Sequence, residues 1–180
     1  MGLRRTGLVF CIGSTIALAS MVFSSPQVQA QTIDPSTLNN KIMVGYQGWF
    51  GAPNDGSGGG WGHWSRSSTD IGPGLYTVDM WPDVSEFDPE ELFPCPNVTL
   101  LDNSTGKLFS SRTLKTVERH FKWMKENGID GITIGRFITS YGGTDFQNQR
   151  RVLENVLSAA TTHGRVFFVY YDTTGQSSDT

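Results

Sequence analysis

Between residues 111 and 171 the chain alternates amphipathic helix with short apolar run, and this alternation limits the folds open to it more than any other feature. Leu114, Val117, Phe121 and Met124 recur at three- and four-residue spacing, which puts them on one stripe of a helix over 111–127. Ser111 or Thr113 stands where an N-cap is needed, and Gly128 where the helix must stop. Residues 129–137, opening Ile-Asp-Gly-Ile-Thr-Ile, then read as a buried strand. Thr144 and Asp145 can cap a second helix, with apolar positions Val152, Leu153, Val156, Leu157 and Ala160, and His163-Gly164 closes it. Val166 to Tyr171 reads as another strand, too apolar to have a wet face. Upstream, Ile42, Met43, Val44 and Tyr46 mark a first strand within 41–50.

Apolar strands that alternate with amphipathic helices indicate a parallel sheet covered by helices. A dinucleotide-binding open sheet should carry a Gly-x-Gly-x-x-Gly turn running straight into a helix. None follows the first strand; the glycine-rich segment 51–74 leads instead into more loop. A structureless loop of that length is uncommon unless it is functional. Pro82, Pro89, Pro94 and Pro96 are expected to keep 81–98 irregular. The expected fold class is therefore α/β, the N-terminal portion of a (β/α)8 TIM-type barrel. Such a barrel takes roughly 200 residues or more, so it would be incomplete in this chain. A small open sheet is the alternative.

The first 30 residues have the layout of a cleavable signal peptide: Arg4 and Arg5, an uncharged apolar run from Leu8 to Phe23, and Val28-Gln29-Ala30 before the cut. A membrane anchor is the competing reading, but Gly13, Ser14, Thr15 and Ser20 interrupt a run already short of the roughly 20 residues a span needs. The expectation is a signal peptide over 1–30, a partial barrel domain over 31–180, and a secreted, extracellular protein with no membrane partner after cleavage. Of 14 basic residues, the loss of Arg4 and Arg5 leaves 12 against 17 acidic ones. That sign, with no basic stripe, argues against a nucleic-acid partner. Cys95 is then the lone thiol, either paired with a partner or a small buried hydrophobe. Asn97-Val98-Thr99 and Asn103-Ser104-Thr105 are candidate glycosylation sites in a eukaryotic secretory pathway.

In parallel α/β folds, ligands gather at the carboxyl ends of the strands. Tyr46, Trp49, Trp61, His63 and Trp64 follow the first strand, Arg136 ends the second with Tyr141 nearby, and Asp172 ends the third. A pyranose offers a C–H face for an indole ring and a rim of hydroxyls for polar groups, so these residues are candidate substrate contacts. Packing of the aromatics onto the loop is the bland alternative for any one of them; Trp61-Gly62-His63-Trp64 resists it, because a glycine-dense loop is expected to have little core of its own. Arg136 could bind hydroxyls, orient a carboxylate or form a plain ion pair. Glycoside hydrolysis needs two carboxyl groups. Asp79, Asp83, Glu86 and Asp172 are the candidates, with Asp172 the best placed and loop-amide binding near Thr173 and Gly175 as its structural alternative; Asp79, Asp83, Glu86 and Asp88 form an acidic run that could also cap turns or bind a cation, without EF-hand spacing. No His-Glu-x-x-His, Cys-x-x-Cys or Gly-x-Ser-x-Gly occurs, so no metal, no cofactor and no serine nucleophile is expected.

The stretch 41–50, Lys-Ile-Met-Val-Gly-Tyr-Gln-Gly-Trp-Phe, followed by Gly60-Trp61-Gly62-His63-Trp64, resembles the opening of glycoside hydrolase family seventy-one/ninety-nine-like proteins, often labelled xylosidase/arabinosidase. Residues 77–86, His120 to Met124, Gly128 to Gly131 and Tyr171-Asp172 resemble the same group. Endo-α-mannosidases of the related clan are similar at the aromatic strand end and the Trp-x-His-Trp segment. The resemblance implies a (β/α)8 barrel acting on oligo- or polysaccharide, with catalytic carboxylates further along the barrel than residue 180. Only contact positions carry over: Tyr46, Trp49, Trp61, His63, Trp64, Arg136 and Asp172. The expected function is that of a secreted glycoside-hydrolase-like protein, inactive in this form. A non-catalytic secreted glycan-binding protein and a truncated, non-functional product remain as alternatives.

Overall fold

The computed structural model describes residues 33–140 and 142–175. The signal peptide expected over 1–30, and Tyr141, lie outside the described residues. Among the described residues, no helix is long and apolar enough to cross a membrane.

Three strands, β1 (Met43–Tyr46), β4 (Gly131–Phe137) and β5 (Val166–Asp172), form a parallel sheet in the order β1-β4-β5. Tyr46 lies opposite Ile134, and Ile134 opposite Val169, so these three share one face. Helices α1 (Leu114–Glu126) and α2 (Thr144–His163) cover that face. Val117, Phe121 and Met124 from α1 meet Ile132 and Ile134 from β4 and Val152, Val156, Ala159 and Ala160 from α2 in one buried cluster. The α1 stripe lies where the spacing placed it, apart from Leu114, which is exposed. Gly164 ends α2 in the left-handed region, with φ 60° and ψ 47°, a conformation any Cβ would strain.

The barrel expectation is corrected. Among the described residues the parallel sheet is open, because β1 and β5 each pair only with β4. A second, two-stranded antiparallel sheet, β2 (Leu92–Thr99) with β3 (Thr105–Phe109), intervenes between β1 and α1 and breaks the strand–helix alternation. The described residues therefore form a small mixed α/β fold with two helices and five strands in two sheets, without barrel closure.

Two local expectations are corrected with it. Strand β2 includes Pro94 and Pro96. In a two-stranded ribbon each strand has a free edge, so a missing N–H can face away from the partner. The register still slips between Pro94 and Thr99. Strand β5 does have a wet face: Phe168 and Tyr170, on the side away from the helices, are 39% and 40% exposed. No helix covers that side among the described residues.

The glycine-rich segment and the hairpin fold together into a second core. Trp61, Trp64, Ile71, Cys95, Val98 and Leu108 are buried in it. Phe50 packs on Trp64 at 4.0 Å between centroids, and Trp64 meets Phe109 edge-on at 5.1 Å. At the seam with the first core, the Tyr46 hydroxyl lies 2.9 Å from Nδ1 of His120, whose ring also touches Phe87, Phe109 and Trp123.

Candidate functional site

A cleft of about 340 Å³ opens where the chain leaves β1 and β4, against the first turns of α2. Its aromatic wall is a stack: Trp49 on His63 at 4.9 Å and 28°, and Trp49 on Phe137 at 6.0 Å and 30°. Gly48 sets up this wall. Its φ is +67°, and a Cβ there would come within 2.4 Å of Val152, so only glycine lets the chain turn over α2 into Trp49. His63 is itself in the left-handed region, with φ 58°, and is exposed.

The floor of the cleft is polar. Arg112 is only 8% exposed. Its guanidinium donates to Ser57 Oγ at 3.0 Å and to the Trp49 carbonyl at 3.3 Å, both neutral acceptors. Among the described residues, no ion pair joins it to a carboxylate. Three glycines make room for it: a Cβ on Gly51, Gly59 or Gly62 would lie 2.6, 2.1 or 2.7 Å from a guanidinium atom. Burial lowers the Arg112 pKa, against the fields of Asp55 and Asp145. Asp55 anchors the loop around it, accepting from the Ala52 and Ser57 amides and the Ser110 hydroxyl at 3.0, 2.7 and 2.7 Å. Burial pushes the Asp55 carboxyl up, but these bonds together hold it below its ordinary value.

Asn148, also 8% exposed, lines the same cleft, and among the described residues its side-chain amide has no hydrogen-bond partner. Its amide atoms keep access to the cleft, so they can donate to and accept from an incoming hydroxyl. Asp145 is the one carboxylate in the cleft wall among the described residues. Burial, and secondarily Arg112, lower the His63 pKa, with Asp145 acting the other way, so the ring enters the cleft as a neutral donor and acceptor near pH 7.

The structure brings together two of the sequence-derived contacts, Trp49 and His63, and separates the rest. Trp61 and Trp64 are each 3% exposed and supply the core that the glycine-rich segment was expected to lack; the Trp64 indole N–H donates to the Phe109 carbonyl at 2.9 Å. Tyr46 lies under the helices with its hydroxyl at His120, and burial pushes its pKa up. Arg136 points to the helix side of β4, is 7% exposed, and donates to the carbonyls of Gly135 and Gln149 at 2.9 Å each. Asp172 accepts from the Thr174 amide at 2.8 Å, its structural alternative, and the bonds from Thr174 lower its pKa. In the acidic run, Asp83 accepts from the Ser85 amide, Glu86 from the Trp123 indole, and Asp88 pairs with Lys115 and Arg119; none of them lines the cleft. Cys95 is a buried hydrophobe, its thiol pushed up to about 12 by burial. No group of three or more His, Cys, Asp or Glu side chains able to hold a metal ion occurs among the described residues.

Sequence reasoning missed Arg112, Phe137 and Asn148 as parts of one site. A signal for Asn148 existed: it stands four and eight residues before Val152 and Val156, at the head of the buried α2 stripe, where a polar residue is out of pattern. Arg112 carries no such local signal. Comparison of the chain with known protein families, curated proteins and solved structures gives no match.

Proposed function

We propose that the protein is a secreted, glycoside-hydrolase-like protein that engages oligo- or polysaccharide in the cleft lined by Trp49 and His63. The observation that carries this reading is the pairing of an aromatic wall with the cleft-lining amide of Asn148, which is hydrogen-bonded to no described residue. The wall suits the C–H face of a pyranose, and Asn148, Arg112 and Asp145 supply donors and acceptors for its hydroxyls. The motif resemblance at 41–50 and 60–64 points to the same ligand class, and the signal-peptide pattern at 1–30 to export.

Binding is the part of this function that the cleft supports directly. Hydrolysis needs two carboxyl groups across the bond, about 5–5.5 Å apart for retention or 6.5–9.5 Å for inversion. Asp145 is a single carboxylate, and Asp172 lies outside the cleft wall.

The test is a titration of the protein with a panel of neutral oligosaccharides, followed by intrinsic tryptophan fluorescence and calorimetry. Saturable binding is expected, weakened about tenfold by Trp49→Ala, the equivalent of losing about 1.4 kcal/mol of stacking. Absence of saturable binding by a folded sample to any member of the panel would end the proposal. Release of reducing ends in the same samples would add hydrolysis to binding.

A further inference from the structure

The β2–β3 hairpin carries both glycosylation triplets, and the structure separates them. Asn97 lies within β2, and its side-chain nitrogen donates to Asp70 Oδ1 at 2.7 Å. Asp70 Oδ1 also accepts from the Ile71 amide at 2.8 Å, so Asn97 helps to hold the hairpin against residues 70–72. Although Asn97 is exposed, one of the two N–H bonds of the nitrogen that would carry a sugar is thereby engaged between two segments.

Asn103 is placed otherwise. It lies at the turn between β2 and β3, in the left-handed region with φ 66°, which Asn tolerates better than most residues. The turn is held from within: Leu100 N–H donates to the Ser104 carbonyl at 2.9 Å, and Asn103 N–H to the Leu100 carbonyl at 3.0 Å. Asp102 fixes the next residue by accepting from the Ser104 amide at 2.9 Å and the Ser104 hydroxyl at 2.6 Å. All this bonding uses backbone and neighbouring side chains, so among the described residues the Asn103 side-chain amide has no partner to give up. Residues 101–105 are all exposed, Leu101 fully so, and Thr105 presents its side chain to solvent two positions after the asparagine.

From this contrast we propose that Asn103 is an N-glycosylation site and that Asn97 remains unmodified. In the transfer, Asn103 Nδ2 bonds to the anomeric carbon of an oligosaccharide carried on a lipid diphosphate. The bond from that carbon to the diphosphate oxygen breaks, the lipid diphosphate leaves with the electron pair, and Nδ2 gives up one proton. The glycan then stands on the hairpin turn. No residue of that turn lines the Trp49 cleft, so this site is independent of glycan binding there.

The test uses the full chain, with its own first 30 residues, expressed in a eukaryotic secretory host. Protein from the medium is treated with a glycan-releasing amidase in heavy-oxygen water, which leaves a labelled Asp wherever a glycan stood. One glycan-sized shift and label at position 103 alone are expected. Thr105→Val removes the shift, and Thr105→Ser, which restores the hydroxyl, keeps it. Thr99→Val, which destroys the other triplet without touching the Asn97–Asp70 bond, leaves the shift unchanged. Label at 97, a shift that survives Thr105→Val, or no glycan on the wild-type chain overturns the proposal.

Discussion

The two cores of this molecule are held by different means. The parallel unit of β1, β4, β5, α1 and α2 repeats one pattern: ladder hydrogen bonds, one helix stripe, and Phe121, Ile132, Ile134, Val152 and Val156 packed between them. The lobe made by the glycine-rich segment and the hairpin has little regular structure. It rests on large aromatic rings and on single polar contacts around Arg112 and Asp55. In the lobe, positive φ angles fall inside the packed segment, at Asn54, Gly56, Gly58, Gly60 and His63, whereas Gly128 and Gly164 stand just past helix ends. A periodic core spreads its energy over many equivalent contacts. A core built from point contacts concentrates it, and the cleft lies where the two kinds meet.

The largest expected effect tests whether the two cores melt as one. Phe121 is fully buried in the parallel unit. Phe121→Ala should cost about 3–5 kcal/mol through lost transfer energy and a residual cavity. Urea unfolding followed by far-ultraviolet circular dichroism and by tryptophan fluorescence should show both transitions moving together. A circular-dichroism transition that shifts while the fluorescence transition stays in place would show that the lobe folds on its own.

The second effect belongs to the seam. Burial holds the His120 pKa down at about 4, with Glu91 opposing and Arg119 assisting. The unfolded chain takes up this proton near pH 6.5, so between about pH 6.5 and 4 the unfolded state binds more protons than the folded one. Stability therefore falls as pH drops through that window and levels off below it. For a shift of this size the loss is about 3 kcal/mol. His120→Gln should flatten the unfolding free energy between pH 6.5 and 4; an unchanged slope in the variant would place the titration elsewhere.

The same contrast explains what the sequence disclosed. Strands β4 and β5 and both helices fall within a few residues of where periodicity put them, because an apolar stripe is a repeated signal. The hairpin was hidden by Pro94 and Pro96, which forbid a central strand but not a ribbon edge. The open sheet stood only as the alternative to a barrel, since pairing order is a property of the whole chain and local pattern does not decide it. In the site, Trp49 and His63 were legible as an aromatic cluster at a strand end. Trp61 and Trp64 belong to the same motif but turn inward, and no local feature separates rings that line a cleft from rings that fill a core. Arg112 reaches the cleft through contacts 55 and 63 residues away in sequence, at Ser57 and Trp49, so spacing could not announce it.

A third effect is confined to the lobe. A Cβ on Gly59 would lie 2.1 Å from Arg112 Nη1, so Gly59→Ala must push the guanidinium off Ser57. Overpacking of this kind costs about 1–3 kcal/mol. Near-ultraviolet circular dichroism, dominated by the lobe tryptophans, should change while the helical signal holds. Equal loss of both would mean that Arg112, which directly precedes the α1 cap Thr113, transmits the strain into the parallel unit.

The smallest expected effect concerns Asp172, at the carboxyl end of β5. It lies opposite Phe137 in the sheet register, yet it is not part of the cleft wall. Its carboxylate is held by Thr174, accepting from the amide of that residue at 2.8 Å. Asp172→Asn keeps an acceptor in that place, so the urea midpoint should not move measurably. The charge, however, is removed, and that is what makes the variant informative. If glycan contact is confined to the wall of Trp49, His63 and Asn148, oligosaccharide affinity should also be unchanged, while Trp49→Ala loses about tenfold. A loss in Asp172→Asn comparable to that of Trp49→Ala, with no change in midpoint, would extend the binding surface along the sheet to β5. The exposed face bearing Phe168 and Tyr170 would then become part of the ligand's path.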